Sequence, residues 1–175
     1  GYGWGCTESF TLGTIRSNKD NANIGCVGAP HINTIVSIFD PDTLEEKPYG
    51  EEGEICVCSS PLMLGYYGDA EMTKEVLKEH ADGTKWLHTG DLGVMKENGL
   101  LSVKGRMTRT IFVYPTAKLY PSAMENIISK IPGVVDVLVG EIEDNEHDGF
   151  GLPVCFIIPD KNLSQEVISH NINTA

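Results

Sequence analysis

Positive charge is scarce in this 175-residue sequence: 13 Lys and Arg stand against 25 Asp and Glu, a net charge of −12. No local Lys/Arg cluster offsets the imbalance. Phosphate backbones and anionic lipid surfaces would be repelled, so neither nucleic acid nor membrane is an expected partner. An anionic nucleotide fits only a site that brings its own N–H donors, an arginine or a metal ion. Cysteine is sparse and odd in number. Cys6, Cys26, Cys56, Cys58 and Cys155 follow no framework spacing, which argues against a disulfide scaffold and for a reducing, cytoplasmic setting. Cys56 and Cys58 lie two apart in a strand-like run and read as packing residues; zinc would need two more ligands, and the sequence offers none nearby. Apolar runs such as Val134–Gly140 are far too short to span a bilayer. Gly-Lys-Ser/Thr and His-Glu-x-x-His are both missing, which excludes a Walker A loop and a zincin helix. Asp144, Glu146, Asp148 and Gly149 imitate the start of an EF-hand loop, but Cys155 stands where a bidentate Glu is required. The five histidines form no pattern with Ser/Asp or Cys that would support nucleophilic catalysis.

What is present describes an ordinary globular chain, 41% hydrophobic and 22% charged, long enough for one sizeable domain or two small ones. Its 19 glycines favour turns over long helices. It opens Gly-Tyr-Gly rather than Met and is expected to be part of a longer polypeptide. Ile32–Phe39 is β-branched and ends at the turn signal Asp40-Pro41-Asp42. Gly53–Ser59 reads as a second strand. Ala70–His80 is expected to be a helix, with Asp69 as N-cap and Asp82-Gly83 as its stop. Val94–Lys96 and Leu100–Lys104 flank Glu97-Asn98-Gly99, a strong hairpin signal. The character changes near residue 107. Thereafter Thr110–Tyr114 reads as a strand, and Ser122 with Glu125 forms a capping box opening a helix whose apolar face is Met124, Ile127, Ile128 and Ile131. Val134–Gly140 and Pro153–Ile158 read as buried strands, and Leu163 onward as a weak helix.

Three groups of residues suggest chemistry. In Trp4-Gly5-Cys6-Thr7-Glu8, glycine lets the backbone approach a phosphate, a threonine hydroxyl can donate to it, the glutamate can hold Mg²⁺, and the aromatic ring can stack on a purine. In Thr89-Gly90-Asp91, a carboxylate on a tight turn can accept both hydroxyls of a ribose. Arg106, 15 positions after Asp91 with the hairpin between, can donate to the same ribose or to phosphate. Each group taken alone reads first as an ordinary turn or a surface arginine.

Together, in this order, they resemble the adenylate-forming superfamily of acyl-CoA synthetases, peptide-synthetase adenylation domains and luciferases. Trp4–Glu8 is similar to that family's aromatic-Gly-x-Thr-Glu motif, and Gly53-Glu54-Ile55 with Gly65-Tyr66 and Thr73 to its Gly-Glu … Gly-Tyr … Thr stretch. Trp86–Gly93 resembles its Thr-Gly-Asp block, Asn98-Gly99 … Gly105-Arg106 its hairpin and Gly-Arg, and Pro121-Ser122 … Glu125 with Pro132-Gly133 the first helix of its small C-terminal domain. The resemblance implies an α+β fold: residues 1–106 would be the end of a large adenylation domain with a distorted β-barrel subdomain, and 107–175 the start of a small mobile α+β domain with a three-stranded sheet. It further implies ATP-dependent activation of a small-molecule carboxylic acid as its acyl-adenylate, then transfer to CoA. Trp4 would stack on adenine, Gly5 and Thr7 would contact phosphate, Glu8 would hold Mg²⁺, and Asp91 with Arg106 would bind ribose; Thr7 and Glu8 would be the catalytic pair. Thr108 and Ile111-Phe112-Val113-Tyr114-Pro115 depart from the family's hinge and Ile-Lys-x-x-Gly stretch, which leaves the acceptor open between CoA and another nucleophile. A nucleotide-binding module without catalysis and a β-rich interaction domain are the competing expectations. Oligomeric state is not legible.

Overall fold

The computed structural model describes residues 3–10, 12–15 and 25–162. The chain divides into two compact units, Gly1–Met107 and Thr108–Ala175. The fold is α+β, built mostly from antiparallel strands.

In the first unit, β1 (Gly3–Gly5), β2 (Leu12–Ile15) and β3 (Ala29–Pro30) form a small sheet. A curled five-stranded sheet follows, made by β4 (Thr34–Phe39), β5 (Glu52–Ser59), β6 (Leu77–Glu79), β7 (Lys85–Met95) and β8 (Leu101–Arg106). Its order is β4-β5-β7-β6, with β8 also on β7. Strand β5 is buried on both faces. Ile55 and Val57 pack with Val36, Ile38, Leu87, Met95 and Leu101, while Cys56 packs on the other side with Phe39 and Trp86. Burying each large side chain contributes roughly 1.5–3 kcal/mol. Cys58 packs beside Cys56, the packing role expected for this pair. The hairpin at Asn98-Gly99 joins β7 to β8, closed by Lys96 and Gly99 backbone bonds.

Helix α1 spans Ala70–Val76 and is capped by Asp69, whose Oδ1 accepts the Met72 N–H at 2.9 Å. The helix expected to run to His80 stops there. Leu77, Lys78 and Glu79 instead pair with Leu87, Trp86 and Lys85 as β6. Leu77 thereby packs against the core, and Asp82-Gly83 closes a hairpin rather than stopping a helix, with Asp82 Oδ1 accepting the Thr84 N–H at 2.9 Å.

In the second unit, β9 (Ile111–Val113) pairs with β10 (Ala117–Leu119), and β11 (Val134–Glu143) pairs with β12 (Gly151–Pro159). Among the described residues these strands form two two-stranded sheets, where one three-stranded sheet was expected. The β11–β12 ribbon is largely exposed; its apolar residues gave the signature of buried strands without the burial. Helix α2 is Pro121–Ile128, with Tyr120 rather than Ser122 at the N-cap. Pro121 at the first helical position sets the start two residues early. Glu125 is then drawn away from a capping box: its Oε1 accepts the Val139 N–H at 3.0 Å and an Arg109 N–H at 2.7 Å. Ile131 is buried, but Ile127 is 64% exposed and leaves the expected apolar face. Gly1, Tyr2 and the helix expected from Leu163 lie outside the described residues.

Candidate functional site

Thr89-Gly90-Asp91 was expected to be a turn. It is instead a distortion inside the continuous strand β7. Glu54 of β5 faces Leu92 and Cys56 faces His88; three residues of β7 therefore stand opposite the single Ile55, a bulge with two residues in excess. Gly90 sits at φ 71°, a conformation open to glycine. The bulge projects Asp91 toward the neighbouring strand, where its register partner is Arg106.

Two of the expected residues meet on this carboxylate. Arg106 Nε lies 2.9 Å from Asp91 Oδ1, and Trp4 Nε1–H donates to Asp91 Oδ2 at 2.9 Å across 87 sequence positions. Each carboxylate oxygen keeps one further lone pair for a hydroxyl donor. Arg106 Nη1 also donates to the Thr89 carbonyl at 2.7 Å, tying the far side of the bulge to β8. Trp4 is placed from below by β2: its N–H donates to Thr14 Oγ1 at 3.3 Å, and its ring lies over Gly13, which has no side chain to displace it.

Glu8 stands on the short turn Thr7–Ser9 after β1. Its carbonyl accepts the Met63 N–H at 2.9 Å, and its Oε1 accepts the Tyr66 hydroxyl at 2.8 Å. Its own backbone N–H and Tyr66 hold the Glu8 carboxyl below its usual range, outweighing burial, with the charge of Arg106 adding to the effect. Tyr66 in turn is anchored through its N–H to Thr73 Oγ1 at 2.9 Å. An ionised carboxylate with spare lone pairs suits a hard cation such as Mg²⁺. Glu8 and Arg106 line one cavity of about 160 Å³ together with Cys6, Tyr66, His88 and Thr89. Gly5 and Thr7 are exposed and do not line it.

A second polar cluster lies beneath the bulge. Glu54 Oε2 accepts His88 Nδ1–H at 2.7 Å, and its Oε1 accepts the Gly90 N–H at 2.9 Å. His80 and His88 share a bond between their Nε2 atoms at 3.0 Å. Glu54, Cys56 and His88 each offer a ligand atom within 4.8 Å of the others, all buried. Their oxygen and nitrogen atoms are already committed, to one another, to the Gly90 N–H and to His80, and burial drives the Cys56 thiol strongly upward, away from the thiolate a metal needs. The arrangement is that of a closed hydrogen-bond network.

A family model described as AMP-binding enzyme matches residues 1–67. The long-chain-fatty-acid–CoA ligase of Escherichia coli O6:H1 is 30% identical over 164 residues, 94% of this chain and 28% of that protein. The chain belongs to the AMP-binding superfamily. Among solved structures, O-succinylbenzoate coenzyme A synthetase (MenE) from Bacillus subtilis in complex with ATP and magnesium ion matches 97% of this chain and 34% of its own, with TM-score 0.82 at 22% identity. The amide bond synthetase McbA from Marinactinospora thermotolerans matches 98% and 34%, with TM-score 0.77 at 25% identity. The chain spans less than a third of the length of curated relatives such as the E. coli ligase.

Within this AMP-binding fold, Glu54, Tyr66, Thr73 and His88 carry contacts that residue chemistry alone did not assign. All four fall in the quoted motif blocks, so the signal was present. Their partners lie far away in sequence, 58 positions for Tyr66 and Glu8, and no local spacing announces them. No helix among the described residues is long and apolar enough to cross a membrane.

Proposed function

We propose that this chain is the nucleotide-binding part of an enzyme that activates a carboxylic acid with ATP as its acyl-adenylate and passes the acyl group to CoA. The observation that carries the reading is the convergence of Trp4 and Arg106 on the two oxygens of Asp91, beside a cavity that Arg106 shares with an ionised Glu8. Residues 1–106 are then the end of the large adenylation domain and 107–175 the start of the small one. Asp91 accepts the ribose hydroxyls, Arg106 steadies Asp91 and reaches ribose or phosphate, and the Trp4 ring stacks on adenine. Gly5 and Thr7 offer their N–H and hydroxyl to the α-phosphate. The acid's carboxylate oxygen attacks that phosphorus, forming a P–O bond as the bond to pyrophosphate breaks. The donors from Thr7 and Arg106 meet the charge that grows on the phosphate oxygens. Glu8 would hold Mg²⁺, which when bound neutralises triphosphate charge.

Acid-dependent ATP–pyrophosphate exchange, run on the natural polypeptide carrying this chain with pooled short, long and aromatic acids, tests the reading. Exchange with any pool is the expected result. ATP binding without exchange in any pool would favour a nucleotide-binding module that has lost catalysis, and the 175-residue chain alone is expected to be inactive. A second acceptor reading has its own observation. Where the family's Ile-Lys-x-x-Gly stretch would lie, Tyr114 is stacked on His147 at 3.8 Å with Phe150 edge-on. That departure keeps a non-CoA acceptor open, and exchange without a CoA thioester would point, by the likeness to an amide bond synthetase, to an amine.

A further inference from the structure

A strand bulge leaves backbone groups without ladder partners, and a buried N–H that finds none is destabilising. Here side chains supply the missing partners. Thr89 Oγ1 donates to the Ile55 carbonyl at 2.7 Å and accepts the Asp91 N–H at 3.2 Å, gripping the bulge at both ends. At its apex the Gly90 N–H is taken by Glu54 Oε1, from a side chain that is itself only 7% exposed. The other Glu54 oxygen is fixed by His88, the residue immediately before the bulge. Glu54 thus grips β7 on either side of Thr89 without reaching the cavity that Arg106 lines. A buried carboxylate is a costly way to fill a core position. The same volume in leucine would pack as well, and would leave the Gly90 N–H and His88 Nδ1–H without acceptors.

We infer that Glu54 is a positioning residue for ribose: acting through Gly90, it holds the bulge in the shape that aims the Asp91 carboxylate at the two ribose hydroxyls. This rests on the adenylating reading above and adds the group that sets the geometry of its ribose contact. The Thr89 hydroxyl is the second member of the device.

The test compares AMP with 2′,3′-dideoxy-AMP, which lacks both hydroxyls, by calorimetric titration of the natural polypeptide. Wild type should prefer AMP, and Glu54→Leu should lose roughly tenfold in AMP affinity while dideoxy-AMP binding moves less than about twofold. Glu54→Gln keeps an amide oxygen for the Gly90 N–H and should restore most of the preference. Thr89→Val, which preserves shape and removes the hydroxyl, should lower the same ratio and serves if Glu54→Leu does not fold. Equal losses for both ligands, or an unchanged ratio in Glu54→Leu and Thr89→Val, would overturn the positioning role. A wild type that binds neither ligand would sink the nucleotide reading itself, and this inference with it.

Discussion

A methyl group built on Gly13 would sit 2.6 Å from Trp4 Cζ3 and 2.8 Å from Cε3, well inside contact distance. The ring cannot retreat freely, because its Nε1–H is held by Asp91 and its backbone N–H by Thr14. Gly13→Ala should therefore cost about 1–3 kcal/mol, the usual range for forcing a methyl into a packed site. It should also misalign the bond to Asp91. Urea unfolding checks the first effect. Emission from Trp4, isolated by Trp86→Phe because these are the sequence's two tryptophans, checks the second; an unshifted midpoint and spectrum would refute both. Trp4, Glu8, Asp91 and Arg106 stood out as candidates because the order of their motifs resembles a known family. Gly13 and Glu54 did not. A glycine that makes room and a carboxylate that grips a distant N–H have meaning only once β1 lies on β2 and β5 on β7.

Elements were legible where the signal was local. Asp69 was read as a cap, and its carboxylate takes the Met72 N–H; Asp69→Ala should cost about 1 kcal/mol, read as a lower melting temperature, while Asp69→Ser should largely keep it. The Asn98-Gly99 hairpin was equally plain. Strand β6 was missed because 77–79 continue a helical pattern and only pairing with β7 makes them a strand. The turn expected at Thr89-Gly90-Asp91 became a bulge because its neighbours on both sides are already sheet. The turn after β4 yields a prediction in pH. Lys47 holds Asp40 at 3.0 Å, and the Thr43 and Asp42 N–H groups donate to the same carboxylate, bringing its pKa from 3.8 to about 2. A carboxyl depressed in the folded state stabilises fully above its unfolded pKa, and that stability drains away as pH falls toward the folded value. Wild type should melt above Asp40→Asn at pH 6, and the two melting points should converge as pH approaches 2; a constant gap would contradict the pairing.

At the scale of the whole molecule, the two units are unequally provided with core. Seven buried hydrophobic residues form one cluster in the first unit, whereas the described residues of the second bury Ile111, Ile131 and Val139, and its β11–β12 ribbon leaves Val135, Leu138, Phe156 and Ile158 exposed. Stability follows apolar burial, so the second unit should open at lower denaturant than the first. The sequence provides probes that separate them. Trp4 and Trp86 both belong to the first unit, so tryptophan emission reports that unit, while far-ultraviolet circular dichroism reports strands from both. In a urea titration of the 175-residue chain the dichroism should begin to fall before the emission moves, and the two curves should not superimpose. Adding AMP should then move the emission transition to higher urea and leave the early dichroism loss in place, because a ligand stabilises only the fold that binds it. Superimposable curves would mean that the two units unfold as one, and an early transition raised by AMP to the same extent as the late one would place nucleotide contacts in the second unit as well.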